Sequence, residues 1–116
     1  MRACATSFVK SPTLAHVRAL EQRLPDYLRH NLPPGYLEFH SREQPLWERA
    51  PKYKRQYVGI RRNGRRAIYA NFFCDNNSPN WRTIPVDVDD GGDCYFQIEY
   101  DVDKATFSDL SINGDA

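Results

Sequence analysis

The chain has 116 residues, 41% of them apolar and 13% aromatic, a composition that suits one folded domain and argues against disorder. Its apolar runs are too short for a membrane-crossing helix, and its three cysteines lack the number for a disulfide scaffold and the spacing for zinc. The net charge of +1 hides a division: residues 1–66 hold 14 Lys/Arg against 5 Asp/Glu, and residues 67–116 hold 2 against 10. Such a split implies either cross-pairing inside the fold or two opposed surface fields that steer partners.

Residues 1–10 read as a flexible N-terminus and residues 11–116 as a single domain. The opening MRACATSF contains no stretch of signal-peptide length. Cys4 is either an ordinary flexible N-terminal cysteine or the stump of a lipid-attachment site whose leader has been trimmed. Ser11 and Pro12 have the form of an N-cap and first helical residue. Leu14, Val17, Leu20, Leu24 and Leu28 then recur at spacings of three and four and share one face of a helix. His16, Arg18, Glu21, Gln22 and Arg29 occupy the other. Pro25 removes the hydrogen bond to Glu21, so a kink or restart is expected there, and Pro33-Pro34-Gly35 ends the helix.

Residues 36–55 form a long connection anchored by Tyr36, Leu37, Phe39, Leu46 and Trp47. Residues 56–73 make a hairpin about Asn63-Gly64, the dipeptide suited to a type I′ turn. That turn sets Arg62 opposite Arg65, Arg61 opposite Arg66, Ile60 opposite Ala67 and Val58 opposite Tyr69. Residues 74–81 read as a polar loop and 83–88 as a third strand. Residues 94–102 alternate cleanly, with Cys94, Phe96, Ile98, Tyr100 and Val102 facing a core and Tyr95, Gln97, Glu99 and Asp101 facing water. Residues 107–112 form the last strand. The fold class is α+β: an N-terminal amphipathic helix packed across a four- or five-stranded antiparallel sheet.

Four arginines at one hairpin tip are the sharpest local feature, because directly opposed like charges destabilise a strand pair. Either nearby acids (Asp87, Asp89, Asp90 or Glu99) neutralise them, or Arg61, Arg62, Arg65 and Arg66 form an anion-binding tip. Tyr57, Tyr69 and Trp81 add aromatic surface of the kind that marks binding sites. With Lys52, Lys54 and Arg55 upstream, a basic-aromatic strip for single-stranded nucleic acid is a further reading.

Residues 87–98 fail as a calcium loop, since position five is Gly91 and position twelve is Ile98. No phosphate loop or dinucleotide fingerprint is present, so no cofactor and no metal is expected. His16, His30 and His40 lie in no nucleophile motif. Glu99 and Asp101, about 6.8 Å apart along a strand, have spacing that a glycosidase could use. With a strand between them, Cys74 and Cys94 would have Cα atoms about 10 Å apart, beyond the roughly 7 Å reach of a disulfide. A bridge requires the chain to curl back or the sheet order to depart from a simple meander.

The residues Gln56-Tyr57-Val58-Gly59, Asn63-Gly64-Arg65-Arg66, Tyr69, Asn71-Phe72-Phe73, Trp81, Asp90-Gly91-Gly92 and Tyr100-Asp101, closing on Asn113-Gly114-Asp115-Ala116, form a pattern. It resembles small uncharacterised bacterial proteins, often exported or lipid-anchored. The resemblance covers about half the chain, and its motifs are turn glycines and sheet aromatics. It implies a bacterial source and an envelope or periplasmic location, and implies no activity.

The resulting expectation is a non-enzymatic protein-binding or inhibitory domain that uses a basic hairpin and an aromatic sheet face. Self-association of the basic and acidic halves is a variant of that reading. A nucleic-acid or polyanion binder acting through the four arginines is the alternative, and a small hydrolase with an unrecognised site is the second.

Overall fold

A computed structural model describes residues 6–8, 12–36, 44–75, 80–88 and 91–114. The elements are strand β1 (Thr6–Phe8), helix α1 (Leu14–Asn31), the short helix α2 (Leu46–Arg49) with a 3-10 turn at Ala50–Lys52, and strands β2 (Lys54–Arg62), β3 (Arg65–Phe73), β4 (Tyr95–Asp101) and β5 (Thr106–Ile112). The five strands form one antiparallel sheet in sequence order. This is the expected α+β class, with β1 as an additional edge strand drawn from the segment read as flexible.

Helix α1 is capped by Thr13, whose hydroxyl accepts from the His16 N–H at 3.2 Å. The cap expected at Ser11 lies outside the described residues. The helix runs through Pro25 without interruption. An interior proline costs about 3 kcal/mol, while burial of a leucine side chain stabilises by about 1.5–3 kcal/mol. Leu20, Leu24 and Leu28 are all buried, so packing prevails over the lost hydrogen bond. Leu14, expected on the same face, is 64% exposed, because the first turn precedes the buried stretch.

Those leucines share one core with Ile68, Ala70, Phe72, Phe96, Ile98 and Tyr100 of the sheet. Phe72 and Phe96 lie opposite each other and stack with ring centroids 4.7 Å apart. Tyr27 of α1 meets Phe107 of β5 at 4.9 Å. Glu21 of α1 accepts from the Tyr57 hydroxyl at 2.6 Å and pairs with Arg55 at 3.3 Å. Below the sheet end, Arg49 and the Tyr36 hydroxyl both bond the buried Asp93 carboxylate, and Tyr53 donates to the Asp93 carbonyl.

The hairpin register is the one the Asn63-Gly64 turn dictates, from Lys54↔Phe73 to Arg62↔Arg65. Both turn residues have positive φ, 53° and 80°, as a type I′ turn requires. Residues 83–88, in contrast, are not a strand. β3 therefore pairs directly with β4, the Cys74 N–H donates to the Cys94 carbonyl, and the two Cα atoms stand 5.0 Å apart, joined by a disulfide. The expected separation of about 10 Å does not arise, because no strand lies between the two cysteines. The wet face expected for β4 is also corrected, since Tyr95 and Glu99 are buried. Gly91 lies so close to the Tyr95 ring that a Cβ there would stand 2.6 Å from it, and Arg62 covers Glu99. Among the described residues no helix is long and apolar enough to cross a membrane.

Two predictions follow from these ties. The disulfide closes a loop with a sequence separation of 20, for which chain-entropy arguments give about 3 kcal/mol. Reduction, or the Cys74→Ala/Cys94→Ala double substitution, should lower the unfolding free energy by that amount in denaturant titrations without abolishing the fold. Burial, and then hydrogen bonds to Asp93 and Glu21, push the Tyr36 and Tyr57 hydroxyls well above their ordinary pKa. Groups raised in this way contribute stability that is fully present below about pH 10, the pKa in the unfolded chain, and lost as pH rises beyond it. Tyrosinate absorbance at 295 nm should show these two titrating late and together with alkaline unfolding.

Candidate functional site

The strand alternation of β2 and β3 divides the four arginines between two faces. Arg62 and Arg65 face the side away from α1, and Arg61 and Arg66 lie beside the start of α1, near Thr13 and His16. Arg62 makes two hydrogen bonds to Glu99, at 2.7 and 2.6 Å, and Glu99 as a residue is 8% exposed. Arg66 pairs with Asp103 at 2.6 Å, which holds the Asp103 carboxyl below its usual range, and Arg65 lies 3.7 Å from Asp101. Arg61 bonds the Gly64 carbonyl. Glu99 was among the neutralising acids expected; Asp101 and Asp103 supply the others in place of Asp87. Asp89 and Asp90 lie outside the described residues.

The same pairings occupy the carboxylates that a hydrolase would need, since Glu99 and Asp101 each face an arginine. Cys74 and Cys94 are joined to each other. His30 contacts the Asp26 carbonyl at 2.9 Å, and His40 lies outside the described residues. Asp93 of the calcium-like loop turns inward onto Arg49 and Tyr36.

On the sheet face away from α1, three amide side chains form a row across adjacent strands: Gln56 of β2, Asn71 of β3 and Gln97 of β4. Gln56 uses all of its hydrogen-bonding capacity. Its Nε2 donates to the carbonyls of Trp81 and Ile84 at 2.6 and 2.7 Å. Its Oε1 accepts from the Val86 N–H at 2.9 Å and from Asn71 at 3.1 Å. Asn71 also donates to the Val86 carbonyl at 2.7 Å and accepts from Gln97 at 3.2 Å. Segment 80–88, whose residues 83–88 were expected to form a strand, is therefore held across this face by side chains instead of by a backbone ladder.

That attachment places Trp81 against Phe73, with ring centroids 5.7 Å apart, between two cations. The Arg82 guanidinium lies 4.6 Å from the indole centroid and the Lys54 ammonium 5.9 Å. Neither Lys54 nor Arg82 has a carboxylate partner among the described residues. A groove of about 420 Å³ opens here, lined by Arg55, Gln56, Tyr57, Val58, Trp81, Arg82, Thr83, Ile84 and Pro85, with no acidic residue among them. Ile84 is 55% exposed beside it.

Of the aromatic residues singled out from sequence, Tyr57 lies on the α1 side and bonds Glu21. Tyr69 lies on the opposite face and is 37% exposed. Burial, then the charges of Asp87 and Glu99, raise its hydroxyl pKa. Trp81 is the one that joins a basic surface, and its cations are Lys54 and Arg82 instead of the hairpin arginines. Comparison with protein families, curated proteins and solved structures finds no match.

Gln56→Ala should leave the Val86 N–H and two carbonyls without their partners, at a cost of about 1–3 kcal/mol. In a Trp47→Phe background it should also shift Trp81 emission to longer wavelength as segment 80–88 lifts. Unchanged stability and emission would show that the amide row does not hold the segment.

Proposed function

We propose that this chain is a non-enzymatic protein-binding or inhibitory domain whose contact surface is the Lys54–Trp81–Arg82 corner of the sheet. The observation that carries this reading is positive charge, with no carboxylate partner among the described residues, set around a half-buried indole in a groove lined by the exposed Ile84 and by no acid. An aromatic anchor flanked by cations and bordered by apolar surface is the composition of an interface hot spot. The chemistry that complements it is an acidic segment carrying apolar side chains. At the hairpin tip the arginines have Glu99, Asp101 and Asp103 as partners, which counts against a polyanion site there. The disulfide suits an oxidising compartment such as the bacterial envelope, in keeping with the sequence resemblance.

Affinity capture from bacterial envelope extract tests the reading when three forms of the protein are compared. The unaltered chain and an Arg61→Ser/Arg66→Ser variant should retain the same stoichiometric protein partner. A Lys54→Glu/Arg82→Glu variant should bind it at least about tenfold more weakly, since reversed charges at a complementary interface are repulsive. Loss of the partner from the hairpin variant alone would overturn the assignment to this corner. Recovery of nucleic acid in place of protein would overturn the reading itself.

A further inference from the structure

We infer that the partner segment binds as an added β-strand along residues 54–58 of β2, as an extended acidic peptide. The inference rests on the protein-binding reading and specifies its geometry. Among the described residues, β1 pairs with β2 at Ile60, Arg61 and Arg62. From residue 54 to 59, β2 has β3 on one side and, among the described residues, no strand on the other. Every second backbone N–H and C=O of that stretch points away from β3 and has no ladder partner among the described residues.

The opposite edge of the sheet is a poorer template. β5 is broken by a register shift opposite Gln97/Glu99, with Asp109 at φ 56°. Such a bulge blunts an edge against pairing. The β2–β3 register, by comparison, is continuous from Lys54 to Arg62.

The groove follows the unpaired stretch. Its lining includes four consecutive β2 residues, Arg55 to Val58, whose side chains alternate between the two faces, so the opening runs along the strand edge itself. Five residues of strand extend about 17 Å, enough for a short peptide ladder. Trp81, Arg82 and Ile84 form the opposing wall. In strand addition the main chain supplies affinity and pockets for alternate side chains supply specificity. Side chains projecting to the Trp81 side meet Lys54 and Arg82 and should be acidic. Those projecting to the α1 side meet Arg55 and Tyr57.

Lys54 and Arg55 at the edge also determine what is refused. A second copy presenting the same edge would set like charges against each other, which disfavours pairing. Phosphodiester backbones cannot supply alternating donors and acceptors to a strand, so a single-stranded nucleic acid satisfies the charge but not the edge.

The test uses the full chain, labelled with 15N, and a capped (Glu-Val)4 octapeptide as probe. Its fully N-methylated counterpart, a (Lys-Val)4 octapeptide and an oligothymidylate serve as comparisons. The acidic peptide should shift the amides of residues 54–58 and the Trp81 indole, and slow exchange of the outward amides at least tenfold at saturation. The N-methylated peptide, which keeps the charge and loses every amide donor, should bind at least tenfold more weakly, and the basic peptide should shift nothing. Equal binding of the N-methylated peptide at Lys54, Trp81 and Arg82 would overturn strand addition and leave the acidic-partner reading standing. Absence of any shift at this corner with the acidic peptide, or a shift there with oligothymidylate alone, would overturn both.

Discussion

The register of the β2–β3 hairpin is the constraint on which the rest of this structure depends. Asn63 and Gly64 accept the positive φ values of the turn, and the pairing that results places Gln56 opposite Asn71 and Tyr57 opposite Ala70. A slip of one residue would carry every side chain of the strand to the other face. Gln56 would then enter the core beside Phe72 and Phe96, and nothing would anchor segment 80–88. In the actual register the amide row of Gln56, Asn71 and Gln97 grips that segment, and the disulfide ties together the strand ends from which it departs. The same register distributes the four arginines so that each face of the hairpin receives two.

The division of charge along the chain becomes intelligible once β3 and β4 are adjacent. Arg49, Arg62, Arg65 and Arg66 come from the basic half, and their partners Asp93, Glu99, Asp101 and Asp103 from the acidic half. Pairing across the chain thus consumes much of the asymmetry. Exposed pairs of this kind add little stability. The Arg49–Asp93 and Arg62–Glu99 contacts differ because their acidic side chains are nearly buried, and leaving such a group unpaired is costly. Among the basic residues that no described carboxylate pairs, Lys54 and Arg82 differ from the rest in flanking an aromatic ring, that of Trp81.

Much of the fold was legible in local patterns. The leucine spacing of α1, the Asn-Gly turn with its facing residues, and the alternation of β4 all depend on neighbours within a few positions. Features decided at longer range were not. Segment 83–88 contains β-formers, but its backbone partners are the side chains of Gln56 and Asn71, and no local pattern announces such partners. The expected third strand then displaced β4 by one position and made the disulfide look too long. Pro25 signalled a kink that burial of the flanking leucines outweighs. Tyr95 and Glu99 alternate like wet-face residues and are covered by Gly91 and Arg62 from distant parts of the chain. For the candidate site, Trp81 stood out by its type, whereas Lys54 and Arg82 acquire meaning only from the ring that brings them together. A signal was available for the amide row, because the hairpin register already sets Gln56 opposite Asn71.

The most direct measurement of the central claim is the electrostatic field at Trp81, which requires no knowledge of the partner. In a Trp47→Phe background, fluorescence quenching by iodide, caesium and neutral acrylamide reports the sign of the charge around the indole. The account predicts that iodide quenches Trp81 well above caesium, after normalising to acrylamide access, and that Lys54→Glu/Arg82→Glu reverses the order. Equal quenching by the two ions, or a preference for caesium in the unaltered chain, would contradict it.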